Sequence, residues 1–186
     1  MDKAIISDWL LPLTIVSATF LASFFLVFWL FLPLQEAIFG HFGSFAILVF
    51  LPHGVRVLTA WLFGLRASIL IAPASLASHG YLFGLSGFSW PMIGGCIVGI
   101  ICAPIIFYLY GKFFSEVSYA HVDAGSWLQI IGLGCIASIV NGFGSSLFYG
   151  TDIQSTFAYL LGDTLGLIVS MVILMLSFRL LRYTQA

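Results

Sequence analysis

His53 and Arg56 stand three residues apart in LPHGVRVLTAWLFG, a run otherwise suited to a bilayer, and Asp163 lies in a second such run. Residues at i and i+3 share a helix face, so this helix presents an imidazole and a guanidinium fork side by side. Such groups can grip a carboxylate in paired hydrogen bonds, hold a proton or ligate a metal. His79 and Asn141 add two more polar side chains in apolar surroundings. Ionisable groups inside a bilayer cost about 2.5–3.5 kcal/mol each on insertion scales, so they face a bundle interior, pair with one another or mark a function.

The elements that must position them are membrane spans. The chain of 186 residues is 61% hydrophobic and only 7% charged, with a mean hydropathy of +1.14. An average soluble domain carries roughly 25% charged residues, so the composition implies an integral membrane protein, a single domain over 1–186. Six Lys plus Arg against seven Asp plus Glu leave no basic stripe, and nucleic acid is set aside as a partner. Cys96, Cys102 and Cys135 are odd in number and all lie in apolar runs, which reads as reduced core residues rather than a disulfide framework. The first apolar run, after Lys3, is about 20 residues long, beyond the roughly 7–15 of a signal peptide, and is expected to be an uncleaved span.

Roughly 20 apolar residues cross the hydrocarbon core, so six helical spans are predicted, at about 10–32, 44–64, 67–85, 90–110, 126–149 and 155–176. The fold class is therefore all-α, a polytopic bundle. Pro33-Leu-Gln-Glu36, Gly40-His-Phe-Gly43, Ser86-Gly-Phe-Ser89 and Gly150-Thr-Asp152 punctuate these cuts. A cytoplasmic N-terminus gathers Lys3, Arg66, Lys112, Arg179 and Arg182 on one side and leaves no Lys or Arg in any outer loop, so the positive-inside rule gives N-in, C-in. Glu36, His41 and Asp152 then fall in short outer loops, and the loop 111–125, with Glu116, His121 and Asp123, is a cytoplasmic connector. Trp9, Trp61, Trp90 and Trp127 sit at span ends as interfacial anchors. Multi-pass insertion in a bacterial inner membrane is the expected location.

Counted from their span ends at 1.5 Å per residue, His53, Arg56, His79, Asn141 and Asp163 all fall within roughly 9 Å of one another in depth, from the outer leaflet to just past the midplane. Arg56 and Asp163 are the only opposite charges there and are each other's natural partners. One reading is an ion pair that merely fixes two helices. The other is a ligand site made of these five residues and open to the outside, with Arg56 taking a carboxylate or similar group. Pro52, Pro73 and Asn141-Gly-Phe-Gly-Ser-Ser146 are expected to loosen the backbone beside them.

Two fragments carry a family likeness. Pro52-His-Gly54 with Gly64-Leu-Arg66, and Tyr159-Leu-Leu-Gly-Asp-Thr-Leu-Gly166, resemble segments of bacterial membrane-associated sensor domains of the MASE type, matching at Pro52, Gly54, Gly64, Arg66, Gly162, Asp163 and Gly166. The resemblance implies a multi-span input domain that works through an output protein such as a kinase or cyclase. His53 and Arg56 are not part of that pattern, and the chain shows no output domain of its own. Size and span count are similar to the S-components of energy-coupling-factor transporters, whose first-helix A-x-x-x-A pattern, matched by Ala18 and Ala22, implies docking to a transporter subunit.

The expected function is small-molecule binding or sensing through a membrane-protein partner, with no catalytic and no metal residues assigned. An accessory subunit of a larger complex, and a haem or chlorophyll protein ligated by His53 and His79, remain open alternatives, and any cofactor is unknown. No paired carboxylates, G-x-S-x-G or H-E-x-x-H occur. Ser145 and Ser146 near Asn141 and His79 imitate a hydrolytic site that nothing orients, so an enzyme is not expected.

Overall fold

The computed structural model describes residues 6–40, 47–114 and 126–184. Lys3, His41, Glu116, His121 and Asp123, and with them the connector at 115–125, lie outside the described residues. Every regular element among those described is helical. Five helical stretches are long and apolar enough to cross a membrane: Asp8–Phe39, Leu51–Phe88, Trp90–Phe113, Trp127–Tyr149 and Ile153–Ser177.

The first helix, α1, joins Ile6–Leu10, Leu11–Leu26, Val27–Phe31 and Leu32–Phe39 without a break, so Pro33 does not end it as its punctuation suggested. Two wide π turns, Ile6–Leu10 and Val27–Phe31, absorb Pro12 and Pro33, each lying two residues beyond its turn. A proline ring clashes with the carbonyl four residues back, and a widened turn relieves the clash while the helix continues. Glu36 is therefore helical, not in a loop.

Leu51–Phe63 (α2) and Ala67–Phe83 (α3) meet at the turn Gly64–Arg66. Gly64 has φ 56°, the left-handed conformation that ends a helix and that glycine adopts without a Cβ clash. The chain reverses there, because Arg56 on α2 reaches Ser75 on α3. Trp90–Phe113 (α4), Ser126–Tyr149 (α5) and Ile153–Thr184 (α6) complete the bundle. Contrary to the expected span 44–64, residues 47–50 are not helical, and Pro52 occupies the first turn of α2, where no N–H is needed. Nor do Gly142 and Gly144 break α5. Gly144 lets Val98 approach and so acts as a packing device, while a Cβ on Gly142 would make only ordinary contact with Thr156.

Helix α2 is short and central, packed by α1, α3, α4, α5 and α6. Its sequence explains this, for His53, Gly54, Arg56, Val57, Thr59 and Ala60 are all buried. The non-helical stretch before it, 47–50, bridges α1 and α6. Leu48 N–H donates to Gln35 Oε1 at 2.8 Å, and Phe50 N–H donates to the Gly162 carbonyl at 2.9 Å. Non-helical backbone at membrane depth is tolerated where protein satisfies it, as here. This closeness requires Gly162 and Gly166, since a Cβ on either would fall on the carbonyl of Ile47 or Phe50. The G-D-x-x-G spacing thus keeps one face of α6 smooth for the strap.

The two ends of the bundle differ. Around Val57, Ala60, Leu70, Ile71, Ala103 and Phe107 the interior is a close apolar core, and this half ends at Arg66, whose guanidinium stacks 4.5 Å over the Trp9 ring. Large apolar side chains such as Trp29, Leu62 and Leu147 cover the outer surface, as a lipid-facing bundle requires.

At the opposite end Asp152 caps α6, accepting the Ser155 N–H at 3.0 Å. Bonds from Ser155 hold this exposed carboxyl below its usual range. A depressed folded pKa stabilises above the unfolded value near 3.8 and is lost as pH falls through the folded one. Asp152→Asn, which keeps the cap oxygen, is expected to lose less thermal stability than the parent between pH 5 and pH 3, readable by circular dichroism at about those two pH values.

Candidate functional site

A cavity of about 690 Å³ occupies the half of the bundle opposite the apolar core. Pockets for small molecules span roughly 300–1,000 Å³, so this is ligand-sized. Phe20, Phe24, Phe28 and Leu32 form one wall at four-residue spacing along α1. Arg56, Ser75, Ser78, His79, Asn141 and Asp163 provide polar groups around it. Four of the five residues expected from sequence therefore share this wall, and His53 does not.

Arg56 is 9% exposed. Its Nη2 donates to Ser75 Oγ across 3.5 Å, its Nε finds no partner, and its carbon centre lies 5.5 Å from the Phe20 ring and 5.8 Å from Phe50. The expected ion pair with Asp163 is absent, for among the described residues no carboxylate lies within 4.0 Å of this guanidinium. Asp163 is instead engaged by others. Asn141 Nδ2 donates to its Oδ2 at 2.6 Å, and His53 Nδ1 lies 3.4 Å from the same oxygen. Span arithmetic matched the depths of the two charges and could not tell which way around its helix each one pointed. The backbone of α4 comes close at Gly99, where a Cβ would lie 3.1 Å from Arg56 Nη1.

His53 is fully buried behind Asp163, with Nε2 3.0 Å from Ser138 Oγ. Ser138, His53 and Asp163 have the order of a hydrolase triad. Ser138 nevertheless has no exposed surface and is not on the cavity wall, and its hydroxyl also donates to the Gly134 carbonyl at 3.1 Å. His53 Nδ1 makes no hydrogen bond, so the chain of bonds ends at His53, and the hydrogen bond that orients Asp163 comes from Asn141. Ser138→Ala is expected to cost about 1 kcal/mol, the usual net worth of one such hydrogen bond, read by denaturation in detergent.

His79 sits at the wall with Nε2 2.8 Å from the Gly87 carbonyl, tying α3 to the turn Gly84–Phe88. The two histidines are thus not brought together on one face of the cavity for a shared iron or magnesium, and among the described residues no cluster of three His, Cys, Asp or Glu is placed to hold a metal.

Ser75, Ser145, Gln35 and Glu36 were missed from sequence, although all four line the cavity. Ser145 Oγ donates to Asn141 Oδ1 at 3.3 Å and so extends the Asp163 network. Serines are common in spans and gave no signal alone. The Pro33 punctuation predicts a loop at Gln35 and Glu36, whereas Leu32–Phe39 is helical and carries both to the cavity.

No protein-family model, no curated protein and no solved structure matches this chain.

Proposed function

We propose that the chain crosses a membrane six times with both ends cytoplasmic, binds a small molecule in the outer half of its bundle and acts through a membrane-protein partner. The observation that carries this reading is the Arg56 guanidinium, buried beside a ligand-sized cavity with no carboxylate within 4.0 Å among the described residues. An uncompensated buried charge costs several kcal/mol, a cost a bound anion would offset. Topology supports the outer placement: Arg66, Lys112 and Arg182 lie at the end away from the cavity, and the positive-inside rule makes that end cytoplasmic. Such a site would serve a sensor input domain of the MASE type or a transporter S-component equally. For a partner, Ala18 and Ala22 are exposed on the outer face of α1, where small residues allow a second helix to approach closely.

A thermal-shift screen of the purified chain against carboxylates, amines, sugars, nucleosides and vitamins tests the cavity. Leu32→Trp/Leu82→Trp fills its wall at half-exposed positions. At least one compound is expected to raise the midpoint of the parent and not of the filled variant. Equal shifts in both, or none in either, would contradict the reading.

A further inference from the structure

Resting on that cavity, we infer that its ligand is a monocarboxylate carried on an extended apolar or aromatic body. The first step is charge. Asp163 has its partners in Asn141 and His53, whereas Arg56 has only two ring faces and one long bond to a hydroxyl. The guanidinium is short of acceptors, its Nε having no hydrogen-bond partner, and its planar fork matches a carboxylate in geometry.

The second step is against a dianion. Asp163 and Glu36 both line the same cavity, and like charges enclosed together repel. Of the hydroxyls nearest Arg56, Ser75 accepts from the guanidinium and meets Cys96 Sγ at 3.9 Å, and Ser78 donates to the Ser75 carbonyl at 2.9 Å. Among the described residues no second Lys or Arg joins Arg56 on this wall. A phosphate dianion would set two negative charges against one guanidinium, while a single carboxylate requires only the fork.

The third step is the body. Phe20 stands beside Arg56, and Phe24, Phe28 and Leu32 continue from it along α1, a stripe roughly 18 Å long at 1.5 Å per residue. The Phe24 and Phe28 rings lie 4.7 Å apart, and Phe83 and Tyr159 also face the cavity. Such a wall accepts a fused ring system or an acyl chain. Both chemistries share the carboxylate head, one arriving from water and the other from the bilayer.

Titration calorimetry on the full chain in nanodiscs separates these cases, using indole-3-acetate, decanoate, their neutral counterparts indole-3-acetamide and decanol, and inorganic phosphate. At least one acid is expected to bind 30-fold or more tightly than its neutral counterpart, with phosphate not binding. Arg56→Gln is expected to reduce the acid to the affinity of the neutral form, and Arg56→Lys to restore part of the difference. Indole-3-acetate as the better acid indicates a water-borne ligand, decanoate a lipid-derived one. Equal binding of acid and neutral form, preference for phosphate, or acid binding indifferent to Arg56→Gln would overturn the inference. A compound of another class that is excluded by Leu32→Trp/Leu82→Trp yet indifferent to Arg56 would sink the carboxylate and leave the cavity standing. Binding by no compound would remove both.

Discussion

Gly166→Ala is expected to destabilise the protein by about 3 kcal/mol, at the upper end of the cost of inserting one methyl into a packed interior. The new Cβ would fall on the Phe50 carbonyl, and the next-nearest atoms are also backbone of Phe50. No flexible side chain can swing away, so either the strap at 47–50 lifts from α6 or the helix shifts. Lifting the strap strains its bonds to Gln35 and Gly162, which join α1 to α6, and moves Phe50 off Arg56. Ligand affinity should therefore fall together with stability. Gly132→Ala is the control, because a Cβ there meets nothing within 4 Å and alanine is the better helix former. It is expected to be neutral or slightly stabilising. Thermal unfolding of both variants in one detergent decides the matter, and equal midpoints would show that the strap does not need the smooth face of α6.

Arg56→Gln should separate stability from binding. Were Arg56 one half of a buried ion pair, removing it would strand a charge and cost about 3–5 kcal/mol. Its guanidinium instead meets Phe20, Phe50 and Ser75, and Asp163 keeps Asn141 and His53 in the variant. The ligand-free variant is expected to unfold within about 1 kcal/mol of the parent, or to be more stable, because an uncompensated buried charge has gone. Anion affinity, in contrast, should fall about 100-fold, roughly 2.7 kcal/mol, the worth of one charged hydrogen-bonded contact. Denaturation and calorimetry on the same preparation measure both. A large loss of stability with unchanged binding would return Arg56 to a structural role.

Much of this site was legible in the sequence, because a charge in an apolar run is costly and a fixed rise per residue converts position into depth. Arg56, His79, Asn141 and Asp163 do share one cavity wall. Height along the membrane normal says nothing about direction around a helix, and that is where the reading of an Arg56–Asp163 pair failed. His53 stands beside Asp163 but behind it, away from the cavity wall, where Ser138, one serine among many in the spans, meets its ring. The strap was hidden for a different reason. Its residues Ile47, Leu48, Val49 and Phe50 are as apolar as any helix, and glycines of another helix, more than a hundred positions away, let this non-helical segment lie against α6. Pro33 misled in the opposite sense, since a π turn carried α1 past it and brought Gln35 to the strap. The central position of α2, by contrast, agrees with its polar cargo. The helix least able to face lipid is the one the other five enclose.

The most direct measurement is an electron cryo-microscopy structure of the chain extracted together with its own lipids. A molecule lying against the Phe20–Phe24–Phe28 wall is expected, with an acidic group within about 3 Å of the Arg56 guanidinium and Asp163 still bonded to Asn141. A guanidinium turned onto Asp163 within about 4 Å, with nothing bound beside it, would contradict the proposal that Arg56 is there to hold a ligand.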